Sequence, residues 1–350
     1  MTDIKRWQTE QEEVALATVI ETWGSSPRRP GAKMALTPDG KIAGSVSGGC
    51  VEGAVFEAGV EALEQRRPRR LHFGVADETA WDVGLACGGE IDIFVEPLDP
   101  ELAARIGRLL NEERAGVVAT VVEGPEEYVG AKLFVDEDGT VSGDLDEGVA
   151  AAVREEAAVT LAAGQPRRIT VPTEAATLEL FLDVILPPPT LIMVGGVHIA
   201  IALAKMARAL NYRTIIVDPR RAFGSEERFP EVDELIQTWP QEAFANLALT
   251  PSTAVTMLTH DPKIDDPALK IVLDSSAFYV GALGSSRTHA RRRRRLLEDG
   301  VAEEKVDRIH APIGLDIEAQ TPEEIAVAIM AEIVAARRKR RPTEEVEGGK

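Results

Sequence analysis

Only two cysteines, Cys50 and Cys87, occur in 350 residues. No disulfide framework can hold such a chain, and a reducing, cytoplasmic setting is expected. Aromatic side chains make up 5 % of the sequence, so Ala, Val, Leu and Ile must fill the core. No apolar run approaches the about 20 residues that cross a bilayer. The opening stretch MTDIKRWQTEQEE lacks the apolar segment of a signal peptide, and no membrane insertion is expected. Positive charge is scarce as well: 39 Lys and Arg face 58 Asp and Glu, a formal charge of −19. An acidic surface of this kind repels phosphate backbones, which excludes nucleic acid as the expected partner.

At about 150 residues per domain the length allows two domains, each large enough for its own core. The boundary is marked by Pro187-Pro188-Pro189, which removes backbone donors and resists both helix and central strand. Residues 1–186 carry 34 acidic and 17 basic side chains, a net of −17, so nearly all the acidity lies before these prolines. The expected organisation is an α+β domain over 1–186, a proline linker over 187–189, a Rossmann-like doubly wound parallel sheet over 190–338 and a flexible tail over 339–350.

The first domain repeats itself. Ala17-Thr18-Val19-Ile20-Glu21 matches Ala119-Thr120-Val121-Val122-Glu123, and Gly31-Ala32-Lys33-Met34 matches Gly130-Ala131-Lys132-Leu133. Asp39-Gly40 and Asp138-Gly139 each supply a hairpin turn, because glycine accepts positive φ. Helices follow over 51–65 and 148–163, ending in Pro68-Arg69-Arg70 and Pro166-Arg167-Arg168, and strands over 90–95 and 178–186 complete each copy. The predicted unit is strand, hairpin, helix, strand, with a helix over 100–113 joining the halves.

This repeat is an internal control for the cysteines. Ser47-Gly48-Gly49-Cys50-Val51-Glu52 and Cys87-Gly88-Gly89-Glu90 have no counterpart in the second copy. Residues needed only to shape the fold would be needed twice. Cys50, at a predicted helix start, is placed where orphan N–H groups favour a thiolate; a small buried cysteine behind a glycine turn is the alternative. Glycine loops also leave amides free to hold an oxyanion. Two cysteines without a four-ligand pattern do not make a structural zinc site, whereas soft ligation of another metal, or carriage of sulfur, remains open. The loop Trp23-Gly24-Ser25-Ser26-Pro27-Arg28-Arg29-Pro30-Gly31 is either a solvated linker or an arginine fork for phosphate or carboxylate, with Lys33 adding to its field.

After the prolines, strand and helix alternate. Strands are predicted over 191–194, 214–217, 254–258 and 278–280, and helices over 200–210, 265–273, 287–297 and 322–338. Gly195-Gly196-Val197-His198-Ile199-Ala200 follows the first strand as a dinucleotide-binding glycine turn would, with Asp218 at the ribose position and Arg220 near a phosphate. Val197 stands where the second glycine lets a pyrophosphate approach, which argues against NAD(P). His198 is either a polar residue at a helix start or a catalytic one. His260 and Gly284-Ser285 should end at the same sheet edge, the latter on a helix N-terminus. The run 291–295 of five arginines reads as a solvated helix face.

Together, Gly24-Ser25-Ser26-Pro27-Arg28, Ser47-Gly48-Gly49-Cys50-Val51-Glu52, Cys87-Gly88-Gly89-Glu90, Val217-Asp218-Pro219-Arg220, Glu227-Arg228-Phe229-Pro230, Thr259-His260-Asp261 and Thr321-Pro322-Glu323-Glu324 resemble the XdhC/CoxI family. These are accessory factors for xanthine dehydrogenase and related molybdenum hydroxylases. The resemblance implies a chaperone more than a turnover enzyme: it binds molybdenum cofactor as cargo, supports its sulfuration with a cysteine desulfurase and inserts it into the apo-hydroxylase. It also implies a homodimer. Cys50 and Cys87 are then the reactive thiols and metal-end ligands. Arg28, Ser47, Gly48, Gly49, Gly88 and Gly89 in the first domain, and Gly195, Gly196, His198, Asp218, Arg220, His260, Gly284 and Ser285 in the second, are the expected cofactor contacts. Two other functions fit the residues: an NAD(P)-dependent oxidoreductase using the Rossmann-like domain, and a non-catalytic scaffold whose acidic half docks a basic partner.

Overall fold

A computed structural model describes residues 2–10, 12–26, 28–74 and 88–339. Cys87 and the expected tail beyond Lys339 lie outside the described residues. The chain divides into two compact units, 1–187 and 188–350.

In the first unit, α1 (Thr2–Thr9), β1 (Ala15–Trp23), β2 (Lys33–Leu36), β3 (Ile42–Gly44), α2 (Glu52–Gln65), β4 (Arg69–Phe73) and β5 (Glu90–Pro97) form one copy. The second copy is α3 (Pro100–Asn111), β6 (Gly116–Glu123), β7 (Lys132–Asp136), β8 (Val141–Gly143), α4 (Glu147–Ala163), β9 (Arg167–Pro172) and β10 (Thr177–Ile185). Each copy is an antiparallel five-stranded sheet, ordered β3-β2-β1-β5-β4 and β8-β7-β6-β10-β9. Both Asp-Gly turns close hairpins, with Gly40 at φ 97° and Gly139 at φ 83°. Gly44 and Gly143 are required by contact: a Cβ would lie 2.3 Å from the Lys33 carbonyl oxygen in one copy and 2.2 Å from that of Lys132 in the other. Asp146 caps α4 by accepting from Val149 N at 3.0 Å, and Gly164 in the left-handed region ends that helix.

The repeat is longer than the sequence pattern indicates. The Pro-Arg-Arg segments that close the helices also open strands, β4 and β9. Further, α3 takes the place in the second copy that α1 takes in the first. Ile4 and Trp7 of α1 pack with Leu16 and Ala35; Leu102, Ile106 and Leu109 of α3 pack with Val118 and Phe134. It is therefore the first element of its copy as well as the connection between copies.

One face of each sheet packs on its own helix. Val19, Ile91 and Ile93 lie with Val55 of α2, and Val121, Leu180 and Leu182 with Val153 of α4. The other faces meet at Ile20, Phe94, Val122 and Phe181. Around this seam, ion pairs cross between copies in matching places: Lys33 with Asp183 at 2.8 Å and Lys132 with Glu96, then Arg70 with Glu123 and Arg168 with Glu21. Lys33, expected to strengthen an anion-binding loop, is thus committed to Asp183 and to the Thr18 hydroxyl at 3.0 Å.

The second unit comprises β11 (Thr190–Val194), α5 (His198–Ala209), β12 (Arg213–Val217), β13 (Glu234–Ile236), α6 (Pro240–Phe244), β14 (Thr253–Met257), α7 (Pro262–Leu273), β15 (Tyr279–Ala282), α8 (Ser286–Glu298), α9 (Glu303–Val306), β16 (Ile309–His310) and α10 (Pro322–Lys339). Its sheet is parallel and ordered β13-β12-β11-β14-β15-β16. Counted from β11 this is 3-2-1-4-5-6, the doubly wound Rossmann order, with the switch between β11 and β14. Ile192, Val194 and Val255 face α7 and α8. Leu191, Met193 and Ala254 face α5 and α10. Strands buried on both faces explain why 191–194 reads as an unbroken apolar run and 254–258 as one broken only by the buried Thr256. No helix among the described residues is long and apolar enough to cross a membrane.

Candidate functional site

Antiparallel pairing sends the distinctive loops of the first copy to one end of its sheet. Trp23 pairs with Glu90, Phe73 with Ile91, Thr18 with Lys33 and Met34 with Gly44. The loop after β1, the loop after β3 and the residues bordering β4 and β5 therefore leave from the same edge. Arg28, Ser47, Gly48, Gly49, Cys50, Gly88 and Gly89 all sit there. Two of the loops press backbone on backbone: a Cβ on Gly89 would lie 2.4 Å from the Ser25 carbonyl oxygen, and Gly24 at φ 65° faces Gly89. Contact requires glycine at 89, and the left-handed φ favours it at 24.

Arg28 is exposed, and its guanidinium has no hydrogen bond or ion pair among the described residues. Cys50 is a free, exposed thiol just before the α2 N-cap, Val51. Of the two arrangements open to it from sequence, the buried one does not occur.

The glycine amides beside Cys50 already hold an anion, the carboxylate of Glu52. It accepts from Ser47 N at 3.0 Å, Gly48 N at 2.9 Å, Gly49 N at 2.8 Å and Ser45 Oγ at 2.7 Å, and also from the Ser47 hydroxyl. Burial alone would raise the Glu52 pKa; the Ser47 and Ser45 hydroxyls and the backbone amides overcome this and hold it well below the usual carboxylate range. The loop is an oxyanion cradle, as its glycines indicate, with a side chain of its own inside.

The carboxyl edge of the second unit's sheet carries the other expected contacts. A Cβ on Gly195 would lie 2.6 Å from Thr259 Cγ2, and one on Gly196 would lie 2.4 Å from the Phe223 carbonyl oxygen. Packing against these neighbours thus accounts for both glycines. Asp218 is fully buried. Its Oδ1 accepts from Arg220 N and Nε, both at 2.9 Å, and its Oδ2 from Gly196 N at 2.8 Å and Arg220 Nη2 at 2.7 Å. A ribose hydroxyl at this carboxylate would have to displace one of those donors. Val197 is the N-cap of α5 without a side-chain cap. His198 is exposed, 3.7 Å from Glu323. His260 is exposed in the left-handed region at φ 62°, near Gly284, and Ser285 caps α8 through Thr288 N at 3.3 Å.

Polar groups at the same edge escape the sequence pattern or correct it: Arg292, in the run read as a solvated helix face, is buried. Asp265 and Arg292, each 2 % exposed, lie 3.7 Å apart; Asp265 also accepts from the Thr259 hydroxyl at 2.6 Å, and Arg292 donates to the Leu283 carbonyl at 2.9 Å. Burial pushes the Asp265 carboxyl upward. Glu332 of α10 collects the buried Tyr279 hydroxyl at 2.5 Å, Gly314 N at 2.8 Å and His310 Nδ1 at 3.2 Å. It ties the last helix to the sheet edge. A carboxylate inside an Ala-rich helix is the only sequence signal for it. Among the described residues, no group of three or more His, Cys, Asp or Glu could hold a metal ion.

Comparison with known proteins covers both units. A model of the XdhC and CoxI family matches residues 7–74 and 109–172, and a model of the XdhC Rossmann domain matches 191–333. The chain is 28 % identical over 334 residues to a probable xanthine dehydrogenase component of Bacillus subtilis, spanning 94 % of this chain and 95 % of that protein. It is 28 % identical over 328 residues to the molybdenum cofactor insertion chaperone PaoD of Escherichia coli, spanning 92 % and 83 % respectively. A crystal structure described as a xanthine dehydrogenase from Bacillus halodurans superposes with a TM-score of 0.78 at 26 % identity, covering 99 % of this chain and 98 % of that one. Sequence motifs, duplicated first unit and Rossmann second unit agree: the chain belongs to the XdhC and CoxI family.

Proposed function

We propose that the protein is a molybdenum cofactor chaperone. It binds the cofactor as cargo, supports its sulfuration by a cysteine desulfurase, and passes it to a hydroxylase of the xanthine dehydrogenase or carbon monoxide dehydrogenase type. The names of its relatives point to this role. The carrying observation is the gathering, at one end of one sheet, of the residues that only the first copy has. An exposed thiol at Cys50, and at Arg28 a guanidinium without a partner among the described residues, suit a ligand with a soft metal end and an anionic tail. Cys87 completes the pair of thiols in the sequence. The oxidoreductase alternative is weakened by Asp218, whose oxygens are both engaged, and by the Phe223 backbone over Gly196.

The test is anaerobic titration of the full chain with molybdenum cofactor. Wild type should retain it, and a Cys50→Ala, Cys87→Ala double variant should retain at least tenfold less. Equal retention by the double variant, or none by wild type, overturns the site. Adding a cysteine desulfurase and cysteine to the loaded protein should raise the activity it confers on apo-hydroxylase. An unchanged yield would remove sulfuration and leave insertion alone.

A further inference from the structure

We propose that Trp23 and His72 form a recognition site for a planar fused nitrogen heterocycle that carries ring N–H groups. His72 lies near the end of β4, on the edge where the first-copy loops leave. Its Nδ1 is 2.6 Å from Asp92 Oδ1. Asp92 is 1 % exposed, and its Oδ2 is held by Arg70 Nε at 3.0 Å and Nη2 at 2.5 Å. A carboxylate so fixed accepts a hydrogen bond from Nδ1–H, which orients the ring and, in the neutral imidazole, leaves Nε2 as an acceptor. The imidazole is more than half exposed, and Nε2 lies beside Gly74, where β4 gives way to the loop. Trp23 stands against it edge-on, ring centroids 6.1 Å apart at 62°. Its indole is 41 % exposed in a protein that has only four tryptophans. A part-exposed indole with an oriented imidazole at its side supplies both elements by which fused heterocycles are bound, a stacking surface and a polar ring nitrogen.

The second copy separates this pair from the scaffold. The same strand irregularity recurs, between Val19 and Glu21 opposite Asp92 and between Val121 and Glu123 opposite Glu179. Arg70 and Arg168 hold Asp92 and Glu179 in matching ways. The acidic and basic members of the network are therefore explained by the joining of the copies. At the register of His72, however, the second copy has Thr170 opposite Glu179, and counting from Glu123 puts Pro125 in the place of Trp23. The fold can be built without either residue.

Two ligands share this chemistry: the pterin head of a molybdenum cofactor and a free purine. The pterin arm rests on the proposed cargo function, whereas the purine arm does not. The experiment is calorimetric titration of the full chain, in parallel, with a soluble reduced pterin and with xanthine. One of the two should bind with micromolar affinity. His72→Thr, the residue the second copy carries, and Trp23→Leu should each weaken that binding at least tenfold, and Trp23→Leu, which removes no partner of a buried group, should leave the thermal midpoint within a degree or two. Binding of xanthine alone assigns the site to purines; binding of the pterin alone assigns it to the cargo. No binding of either, or equal binding by wild type and both variants, overturns the site. Cofactor retention by the same variants keeps the two proposals apart. Undiminished retention removes the pterin from Trp23 and His72 and leaves the cargo function standing. Heterocycle binding lost in the variants, by a wild type that retains no cofactor, does the reverse.

Discussion

Asp218→Ala should destabilise the second unit by about 2–3 kcal/mol, the range for losing charge-assisted hydrogen bonds to a buried carboxylate when the partner left behind, Arg220, is a third exposed to water. The carboxylate is fully buried and accepts four hydrogen bonds, three from Arg220 and one from Gly196 N. Alanine leaves the Gly196 amide without its acceptor and frees the guanidinium that stacks over the Phe223 ring at 4.1 Å. The segment carrying Phe223 then loses its anchor to the glycine turn. Burial raises the Asp218 pKa, but the Arg220 and Gly196 bonds lower it further, so its folded value is depressed. The contribution is therefore present above the unfolded aspartate value of about 3.9 and is lost as pH falls through the lower folded value. Urea unfolding of wild type and variant at pH 7 and pH 3 measures both effects. The gap should be wide at pH 7 and narrower at pH 3; a gap below about 1 kcal/mol at pH 7 would show that the pair is dispensable.

Much of the fold is legible because local signals and periodicity agree. Asp-Gly turns and the alternation of apolar strands with helices after Pro189 each specify an element from a few adjacent residues. What escapes notice is sequence whose pattern makes sense only across the seam. The strand β4, Arg-Arg-Leu-His-Phe, alternates, but its outward residues are Arg70 and His72, which both reach Asp92, with Arg70 also reaching Glu123. Read alone, it is a helix end. In the same way α3 reads as a connector until α1 is seen in the equivalent place against the other sheet.

At the candidate site, sequence identifies residue types and misses their occupancy. Glycines beside Cys50 do announce amides able to hold an oxyanion, yet that Glu52 folds back into them depends on the first turn of α2. The spacing from Gly195 to Asp218 announces a ribose position, whereas Arg220, two residues further on, has already taken both oxygens. Lys33 adds charge to its loop on paper and gives it to Asp183 in the fold. His72 gives no signal at all, since its partner Asp92 lies 20 residues away on a neighbouring strand. Lys33 and His72 turn on long-range contacts, which periodicity and spacing do not encode, and Glu52 and Arg220 on local contacts that only the folded loop geometry brings about.

Glu52→Ala should cost about 2–3 kcal/mol, less than the sum of its individual charge-assisted bonds, because the emptied amides of an exposed loop return to water. The carboxylate binds Ser45, Ser47, Gly48 and Gly49, and Ser47 Oγ in turn accepts from Val51 N at 3.0 Å, so the loop and the start of α2 loosen together. The folded pKa of Glu52 is depressed. Its contribution is thus complete above the unfolded glutamate value of about 4.3 and disappears as pH falls through the lower folded value. A second measurement bears on function. Removing the carboxylate leaves its donors in a loop with open space around Gly48 and Gly49, so inorganic phosphate should raise the thermal midpoint of Glu52→Ala and leave wild type unmoved. Equal stabilisation of both would mean that the cradle is free in the native protein. The expected difference has a direct consequence for a cofactor phosphate: to reach the amides next to Cys50 it must first displace Glu52, which puts an emptied cradle beside a thiol that is already exposed.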